Sequence, residues 1–323
     1  MKLSLVIPVF NEEESLPQLH REIEAVLSEH GYDAEIIFVD DGSTDTSWKV
    51  ICELADKDPR VRAVRFRRNF GKAAALSAGF AEAVGDRIVT MDADLQDDPA
   101  EIPRFLEKID EGFDVVSGWK KIRHDPWHKV YPSRVFNWMV SRLTGVNLHD
   151  HNCGMKCYRS EVLKEVSLYG ELHRFIPVLA GARGFRVGEL VIHHRPREHG
   201  HSKYGFTRFV KGFLDLLSVK FVTGYGQRPQ HLLGTIGLIC FGLGGLLLVW
   251  LAGEWIVSRL TELPDVELHK RPLVLYSVAL LLMGGQLLSV GFLAELFAAF
   301  HVPHTPTYSI AERRGKASED GAG

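Results

Sequence analysis

The chain has 323 residues, of which 46% are hydrophobic and 24% are charged, so it can bury a sizeable core and does not have the composition of a disordered protein. Its formal net charge of -3 argues against nucleic-acid binding, because a basic face is needed to hold phosphates. The four cysteines show no disulfide framework, which fits a reducing compartment. The apolar run at the N-terminus is too short for a signal peptide, so we expect the N-terminal domain to remain in the cytoplasm.

Short apolar runs alternate with stretches of helical periodicity up to about residue 120, which predicts βα repeats around a parallel sheet. The predicted strands are Leu3–Val9, Glu35–Val39, Val61–Arg65, Arg87–Met91 and Asp114–Ser117. The predicted helices are Glu12–Ser28, Thr46–Ala55, Lys72–Val84 and Pro99–Ile109. Ligands bind such sheets at the carboxyl ends of the strands, so the polar loops that follow the strands form the candidate site.

Two aspartates, Asp92 and Asp94, lie two residues apart at the end of the fourth predicted strand, so both carboxylates can face one ligand. With Gln96 nearby, this all-oxygen set suits a hard divalent cation, Mg²⁺ or Mn²⁺, held against a diphosphate. A solvated loop with Asp97 or Asp98 as a helix cap is the alternative. The sequence contains neither a Walker phosphate loop nor a dinucleotide-binding glycine fingerprint, so phosphate must be held in another way.

Histidines and cysteines cluster in two later segments. The first contains His149, His151, Cys153 and Cys157, which are zinc-ligand types, but their spacing is not that of zinc modules. The second contains His193, His194, His199 and His201. These four lie in a basic stretch, where contacts with a phosphate are a simpler interpretation than a metal cluster. We therefore expect no zinc site in either segment.

Residues 205–228 alternate large apolar side chains with basic ones, a pattern typical of an amphipathic helix that lies in a membrane interface or packs on the domain. Residues 232–253 and 273–294 contain no charged side chain, and each stretch is long enough to cross the hydrocarbon as a helix. Basic residues before the first span and in the tail predict a cytoplasmic N-terminal domain on the inner or plasma membrane, with two membrane passes. Residues 301–323 form a polar tail, expected to be cytoplasmic and partly disordered.

Four motifs follow one another in the first hundred residues. They are Val6-Ile7-Pro8-Val9-Phe10-Asn11-Glu12-Glu13, Val39-Asp40-Asp41-Gly42-Ser43-Thr44-Asp45, Arg68-Asn69-Phe70-Gly71-Lys72 and Asp92-Ala93-Asp94-Leu95-Gln96-Asp97. In order and spacing they resemble family 2 glycosyltransferases, and more specifically the bacterial polyprenyl-phosphate glycosyltransferases similar to dolichol-phosphate mannosyltransferase. The resemblance extends over nearly the whole chain and includes the two spans.

This resemblance implies an α/β fold of the GT-A type, with a Rossmann-like, mostly parallel sheet in residues 1–204. It further implies the interfacial segment 205–228, two transmembrane helices within 229–300, and a homo-oligomer, expected to be a tetramer. The residues implied around the nucleotide-sugar are Pro8, Phe10, Glu12, Asp41, Lys72, Asp92 and Ala93. The implied metal ligands are Asp94 and Gln96 with Asp92, whereas Asp40 is expected to be structural.

The acceptor phosphate needs cations, since it would otherwise be repelled by the donor diphosphate. Candidates are Lys120, Arg123, Arg134, Arg197, Ser202 and Lys203. Arg134 lies in Ser133-Arg134-Val135-Phe136-Asn137, which is similar to the family's acceptor-phosphate segment and can grip phosphate through paired donors. Residues 195–204 resemble a mobile loop that closes over donor and acceptor and excludes water.

Asp150 matches an acidic residue that the family proposes as the catalytic base, so the resemblance implies catalytic roles for Asp150, Asp94 and Arg134. A phosphate monoester is already ionised near neutral pH and needs no strong base, so Asp150 can act instead by orienting the acceptor or a neighbouring arginine. A purely structural role, capping the following turn, is the remaining alternative.

The implied reaction is inverting transfer of a sugar from a nucleotide-sugar, with a UDP-sugar such as UDP-glucose favoured, to polyprenyl phosphate. A GDP-mannose-dependent mannosyltransferase is the closest alternative. A processive polysaccharide synthase fits less well, because the sequence contains no Gln-x-x-Arg-Trp segment and two spans are few for a channel. A non-catalytic membrane scaffold would not need the carboxylates Asp41, Asp92 and Asp94.

Overall fold

The computed structural model describes residues 2–121, 127–166, 172–193, 195, 207–225, 228–261, 264 and 267–301. The chain divides into two compact units, one containing residues 1–219 and the other residues 220–307. The first unit is built on one mixed sheet and the second on two long helices.

The seven strands of the sheet are β1 Lys2–Val9, β2 Asp33–Asp40, β3 Val61–Arg65, β4 Arg87–Thr90, β5 Val115–Trp119, β6 Lys156–Arg159 and β7 Val187–Val191. Their order is β3-β2-β1-β4-β6-β5-β7. All paired neighbours run parallel except β6, which is antiparallel to both β4 and β5. The described part of the chain therefore confirms the α/β class and the mostly parallel sheet.

Helices cover the sheet and join its strands. Those of the first unit are α1 Leu16–His30, α2 Ser47–Lys57, α3 Lys72–Glu82, α4 Ile102–Asp110, α5 Trp127–Thr144, α6 Ser160–Glu165 and α7 Ile176–Ala182. The chain continues into α8 Thr207–Tyr225, α9 Pro229–Leu260 and α10 Pro272–His301. Of these, α5, α6 and α7 and the strands β6 and β7 were not predicted from the sequence.

Strand β1 lies at the centre of the core and is buried on both faces. Leu5 and Ile7 pack with the apolar face of α1, whereas Val6 on the opposite face packs with Ala75 and Leu76 of α3. Burial on both faces explains why this strand is almost continuously apolar in sequence, as is usual for parallel sheets covered by helices.

The predicted start of α1 at Glu12 is wrong, because the helix begins at Leu16. Asn11 adopts a left-handed conformation with φ 56°, and the backbone N–H of Glu12 donates to Ser47 Oγ at 2.9 Å. Both features hold residues 11–15 in a turn until Pro17, whose fixed φ suits the first helical turn. Glu12 therefore lies in the loop after β1 and not in the helix.

Helix α8 is amphipathic, as the sequence predicts. Its Leu216 and Val219 are fully buried in a cluster with Phe136 and Phe175, so one face packs on the first unit. Leu214 on another face is 55% exposed, which leaves apolar surface that the domain does not cover. The helix thus combines packing on the domain with an exposed apolar surface suited to an interface.

Helices α9 and α10 are long and apolar enough to cross a membrane, with mean hydropathies of 2.4 and 2.0 over their best windows. Only 17% and 11% of those windows is buried, whereas the core helix of a soluble protein would be mostly buried. The two helices contact each other through small residues seven apart, namely Gly237 and Gly244 on α9 and Ser277, Gly284 and Gly291 on α10. Such residues let two membrane helices approach closely.

We expect Gly284→Leu to separate the two helices and to lower the thermal stability of the helix pair, because a Cβ there would strike the backbone of Phe241 on α9. The adjacent Gly285→Leu is the matched control, since no atom lies within 4 Å of a Cβ at that position. Thermal unfolding in detergent, followed by circular dichroism, compares the two variants. Equal stability of both would contradict the described packing.

Candidate active site

The candidate active site lies at the edge of the sheet where the parallel strands end. Strand β1 pairs with β2 on one side and β4 on the other, so the chain leaves β1 at the point where the strand order reverses. Open α/β sheets bind ligands at such a switch point. The loops that follow β1 to β4 carry the polar residues predicted for the nucleotide-sugar.

A cavity of about 790 Å³ opens among the loops after β1, β2 and β3. Phe10, one of the predicted nucleotide residues, lines this cavity. Three arginines that were not predicted to bind the nucleotide-sugar, Arg65, Arg67 and Arg68, line it as well. An aromatic ring can stack on a nucleobase and guanidinium groups can bind phosphate through paired donors, so the cavity suits a nucleotide in size and chemistry.

Asp41 ties the end of β2 to the loop after β3. Its carboxylate accepts hydrogen bonds from the backbone N–H groups of Phe70 at 2.7 Å and Gly71 at 2.9 Å. Burial raises the pKa of Asp41 above its ordinary value, and the neighbouring Asp40 adds to the rise. Asp41 thus shapes the wall of the cavity, and its direct contact with a nucleotide stays a prediction.

The turn after β2 is fixed by Asp40 and Gly42. Asp40 is fully buried, accepts the backbone N–H of Ser43 at 2.9 Å, and pairs with the guanidinium of Arg65 at 3.2 Å. Gly42 has φ 71°, and a Cβ there would lie 2.7 Å from the backbone nitrogen of Asn69. Only glycine allows this close approach of two loops.

The loop after β1 is held against the same turn. The backbone N–H of Asn11 donates to Ser43 Oγ at 3.0 Å. The predicted nucleotide residues Pro8 and Glu12 flank this contact. Pro8 is half-buried within β1, and Glu12 lies in the loop three residues beyond the end of the strand. Hydrogen bonds between loops therefore keep this wall of the cavity in place before any ligand binds.

Two ion pairs lie at the end of β4. Lys72, at the start of α3, pairs with Asp92, and Lys120, just after β5, pairs with Asp97 at 3.0 Å. Burial disfavours ionisation of Asp92, but the amines of Lys72, Lys120 and Lys156 outweigh it and hold its pKa at about 2. The carboxylate of Asp92 is therefore ionised throughout the physiological range.

The metal-binding loop predicted from Asp92 to Gln96 is compact and locally strained. Ala93 and Asp94 are nearly buried, and one carboxylate oxygen of Asp94 accepts the backbone N–H of Gln96 at 3.2 Å. Leu95 has φ 59°, a left-handed conformation that is costly for a residue with a branched side chain. Strain of this kind persists where the surrounding structure fixes a loop for function.

The donor set fits a metal that is shared with a substrate. Within the described ranges, no group of three or more His, Cys, Asp or Glu side chains could hold an ion alone. Magnesium sites that bind nucleotides use one or two carboxylates, several waters and the phosphates themselves. Asp92, Asp94 and Gln96 suit such a shared site better than an all-protein cage.

Asp150 is nearly completely buried, with 1% of its surface exposed. One carboxylate oxygen accepts the backbone N–H of Asn152 at 3.0 Å, so its side chain caps the turn that follows. Its own backbone N–H donates to Glu189 at 3.1 Å, and its carbonyl accepts from Ser117 Oγ at 3.3 Å. Glu189 was missed by sequence reasoning because it lies on an unpredicted strand far along the chain.

Helix α5 connects the predicted acceptor segment to the loop that carries Asp150. The side-chain N–H of Asn137 donates to the carbonyl oxygen of His149 at 2.9 Å. Arg134 lies three residues earlier on the same side of the helix and is exposed. The structure thus places Arg134 one helical turn from a residue that holds the Asp150 loop.

Arg195 fixes the start of the predicted mobile loop. Its backbone N–H donates to the carbonyl oxygen of Gln96 at 3.1 Å, and its guanidinium pairs with Glu22 at 2.7 Å and Asp98 at 2.8 Å. Arg195 therefore lies beside the predicted metal-binding loop. The predicted acceptor residues Arg123, Arg197, Ser202 and Lys203 lie outside the described residues.

The cysteines of the segment from His149 to Cys157 are packed into the interior. Cys153 and Cys157 lie in the hydrophobic core, and burial raises the pKa of each thiol to about 12. Burial also lowers the pKa of His151 to about 4, and its ring hydrogen-bonds Ser141 Oγ at 3.1 Å. These residues pack the loop that carries Asp150.

The sequence matches the family model for glycosyl transferase family 2 over residues 4–167. It is 40% identical to dodecaprenyl-phosphate galacturonate synthase of Rhizobium johnstonii (strain DSM 114642 / LMG 32736 / 3841), over 97% of this chain and 93% of that protein. It is 39% identical to undecaprenyl-phosphate 4-deoxy-4-formamido-L-arabinose transferase of Pseudomonas fluorescens (strain SBW25), over 91% of this chain and 83% of that protein.

Among solved structures, glucosyl-3-phosphoglycerate synthase from Mycobacterium tuberculosis, in complex with Mn²⁺, uridine diphosphate and phosphoglyceric acid, matches with a TM-score of 0.54. The match covers 69% of this chain and 78% of that one at 18% identity, which supports the fold alone. The sequence relatives and the sheet topology together confirm the predicted family and GT-A fold. The chain belongs to glycosyl transferase family 2 and is a glycosyltransferase.

Proposed function

We propose that this protein transfers a sugar from a UDP-sugar to a polyprenyl phosphate, with inversion at the anomeric carbon, on the cytoplasmic side of a membrane. The observation that carries the proposal is the combination, in one chain, of an acidic sheet edge balanced by lysines with two candidate membrane spans. The names of the relatives support a dodecaprenyl or undecaprenyl phosphate acceptor. The product would supply a sugar for cell-envelope glycan or glycolipid modification.

The donor pocket is the cavity lined by Phe10 and the three arginines. Uridine diphosphate in the complex of the structural neighbour supports a UDP-sugar as donor. Two sugars are candidates: UDP-glucose agrees with the resemblance of the two-span tail, and a uronic acid agrees with the name of the galacturonate synthase. GDP-mannose is the alternative donor.

Asp94 and Gln96, with Asp92, would hold a divalent cation, Mg²⁺ or Mn²⁺, at this pocket, and the structural neighbour was solved with Mn²⁺. When bound, the cation supplies positive charge against the donor diphosphate. The protein itself contributes Lys72 and Lys120, whose amines lie beside Asp92 and Asp97. Burial opposes their charge, but the adjacent carboxylates raise the pKa of both lysines, so each stays protonated near the leaving group.

In the proposed reaction, a phosphate oxygen of the acceptor forms a bond to the anomeric carbon while the bond from that carbon to the diphosphate oxygen breaks. The electron pair of the broken bond leaves with the nucleoside diphosphate, whose charge the lysines stabilise. Arg134, with Lys120 and the predicted residues Arg123, Arg197, Ser202 and Lys203, would hold the acceptor phosphate. The segment after Arg195 would exclude water, which otherwise competes with the acceptor.

The proposal is tested by incubating the full chain in detergent with undecaprenyl phosphate and labelled UDP-glucose, UDP-galacturonate or GDP-mannose. We expect label from at least one UDP-sugar in the organic-extractable lipid, released as free sugar by mild acid. Label from GDP-mannose alone would replace the donor assignment, and label in a long water-soluble polymer would indicate a processive synthase. No labelled lipid with any donor would contradict the proposal.

We expect Asp94→Asn to lower kcat/KM for the nucleotide-sugar roughly 100-fold, because it weakens binding of the cation that would neutralise the developing diphosphate. Raising the Mn²⁺ concentration should recover part of that loss. Asp33→Asn is the matched control, since Asp33 is exposed at the opposite end of β2. Steady-state kinetics over a metal titration measure the difference, and equal activity of both variants would remove Asp94 from the metal site.

Substitutions of Asp150 distinguish an organiser from a base. If Asp150 acts through the hydrogen bond from Asn152, then Asp150→Asn keeps an acceptor and should lose less kcat than Asp150→Ala, with an unchanged pH profile. A general base would contribute roughly 100-fold or more, so both variants would be similarly inactive and the acidic limb of the profile would disappear. Near-normal kcat in both variants would exclude any essential role.

A further inference from the structure

A row of four polar side chains, three of them buried and one half-buried, crosses the sheet next to the candidate active site. The pairing registers join Thr90 of β4 to Lys156 of β6, Lys156 to Ser117 of β5, and Ser117 to Glu189 of β7. Residues directly opposite each other on neighbouring strands point to the same face of a sheet. All four side chains of this polar row therefore project to one side.

Each member of the polar row holds the backbone of residues 149–154. Thr90 Oγ1 donates to the carbonyl oxygen of Gly154 at 2.9 Å, and the amine of Lys156 donates to the carbonyl oxygen of Cys153. Ser117 Oγ donates to the carbonyl oxygen of Asp150 at 3.3 Å. At the far end, Glu189 accepts the backbone N–H groups of His149 at 2.7 Å and Asp150 at 3.1 Å.

The polar row occupies buried positions where apolar side chains would stabilise the fold more. Ser117 is fully buried and Lys156 is 4% exposed, and burying a lysine without a paired carboxylate is expensive. A sheet interior of this kind normally carries Val, Ile or Leu. The row must therefore contribute something other than stability to the loop that it holds.

The backbone that is held in this way carries two groups of the site. Asp150 lies within it, and Gly154 lies against Asp92 so closely that a Cβ would be 2.6 Å from a carboxylate oxygen. A shift of the loop would therefore move both Asp150 and the carboxylate that pairs with Lys72. Catalysis is sensitive to such shifts, since a misplacement of about 1 Å can cost 100-fold in rate.

We propose that Thr90, Lys156, Ser117 and Glu189 are positioning residues for sugar transfer, which fix Asp150 and Asp92 by holding the backbone of residues 149–154. This inference rests on the proposed function, because it assigns the reaction to that edge of the sheet. None of the four needs to touch a substrate.

The test uses the double variant Thr90→Val/Ser117→Ala, in which two donors are lost while the shape of both side chains is nearly kept. We expect kcat to fall roughly tenfold or more, in line with the sensitivity to displacement. Hydrogen exchange of a peptide covering residues 149–154 should become faster, while exchange in β1 and β2 stays unchanged. Glu189→Gln, which can still accept both backbone N–H groups, should keep more activity than Glu189→Leu.

Ser4→Ala is the matched control for stability. Ser4 is a fully buried serine in β1 whose hydroxyl donates to Glu35 at 2.6 Å, so its loss should destabilise the fold without affecting the loop. The inference would be overturned if the double variant showed faster exchange of the loop but a wild-type kcat. It would also be overturned if the losses in kcat followed the melting temperature in all variants, including Ser4→Ala. Unchanged loop exchange would overturn it too. The exchange measurement needs no substrate, so it remains decisive if the wild-type chain transfers no sugar to lipid.

Discussion

Electrostatic repulsion among carboxylates is the constraint on which this site depends. Asp41, Asp92, Asp94 and Asp97 all lie near the carboxyl ends of β2 and β4, where a diphosphate is to bind. Without nearby positive charge or hydrogen-bond donors, these carboxylates would repel one another and the donor diphosphate. Lys72 and Lys120 pair with Asp92 and Asp97, and two backbone N–H groups stabilise Asp41. The positive charge of these lysines favours the ionised form of Asp92, and Asp94 on the same loop is the residue proposed to bind a cation together with the substrate.

The antiparallel direction of β6 brings a loop from a distant part of the sequence to the same edge of the sheet. A parallel strand leaves the site at its carboxyl end, whereas β6 begins there, so the loop that precedes it can lie across the ends of β4 and β5. This loop brings Asp150 and Gly154 to the site from a distant part of the sequence. Charge balance and loop position are thereby linked, because Gly154 rests against the same carboxylate that Lys72 neutralises.

The helices and strands that could be predicted are those with a clear local pattern in the sequence. Apolar runs such as Leu3–Val9 located the first strands closely, and the charge-free stretches located α9 and α10. The start of α1 was misplaced because helical periodicity extends through Glu12, whereas the hydrogen bond from the backbone N–H of Glu12 to Ser47, at the start of α2, holds that residue out of the helix. Strand β6 was not predicted, since Lys156-Cys157-Tyr158-Arg159 is short and mixed in polarity.

The site was predicted where a motif carries it and missed where the register of the sheet creates it. Asp92 and Asp94 stand in a recognisable motif, so the sequence alone assigns them to the candidate site at the end of β4. Glu189 lies near no motif, and its role depends on its pairing opposite Ser117, which no local pattern reveals. Likewise Lys156 looks like an ordinary exposed lysine in the sequence, although it is buried beneath the loop.

The acidic edge, with its paired lysines, is proposed to bind a nucleoside diphosphate together with a metal. Calorimetric titration of the purified full chain with UDP, at several Mn²⁺ concentrations, tests this binding without any acceptor or sugar transfer. We expect UDP to bind at least roughly tenfold more tightly with Mn²⁺ and to lose most of that affinity in Lys72→Met, which removes the amine beside Asp92. Equal UDP affinity with and without metal, and in Lys72→Met, would contradict it.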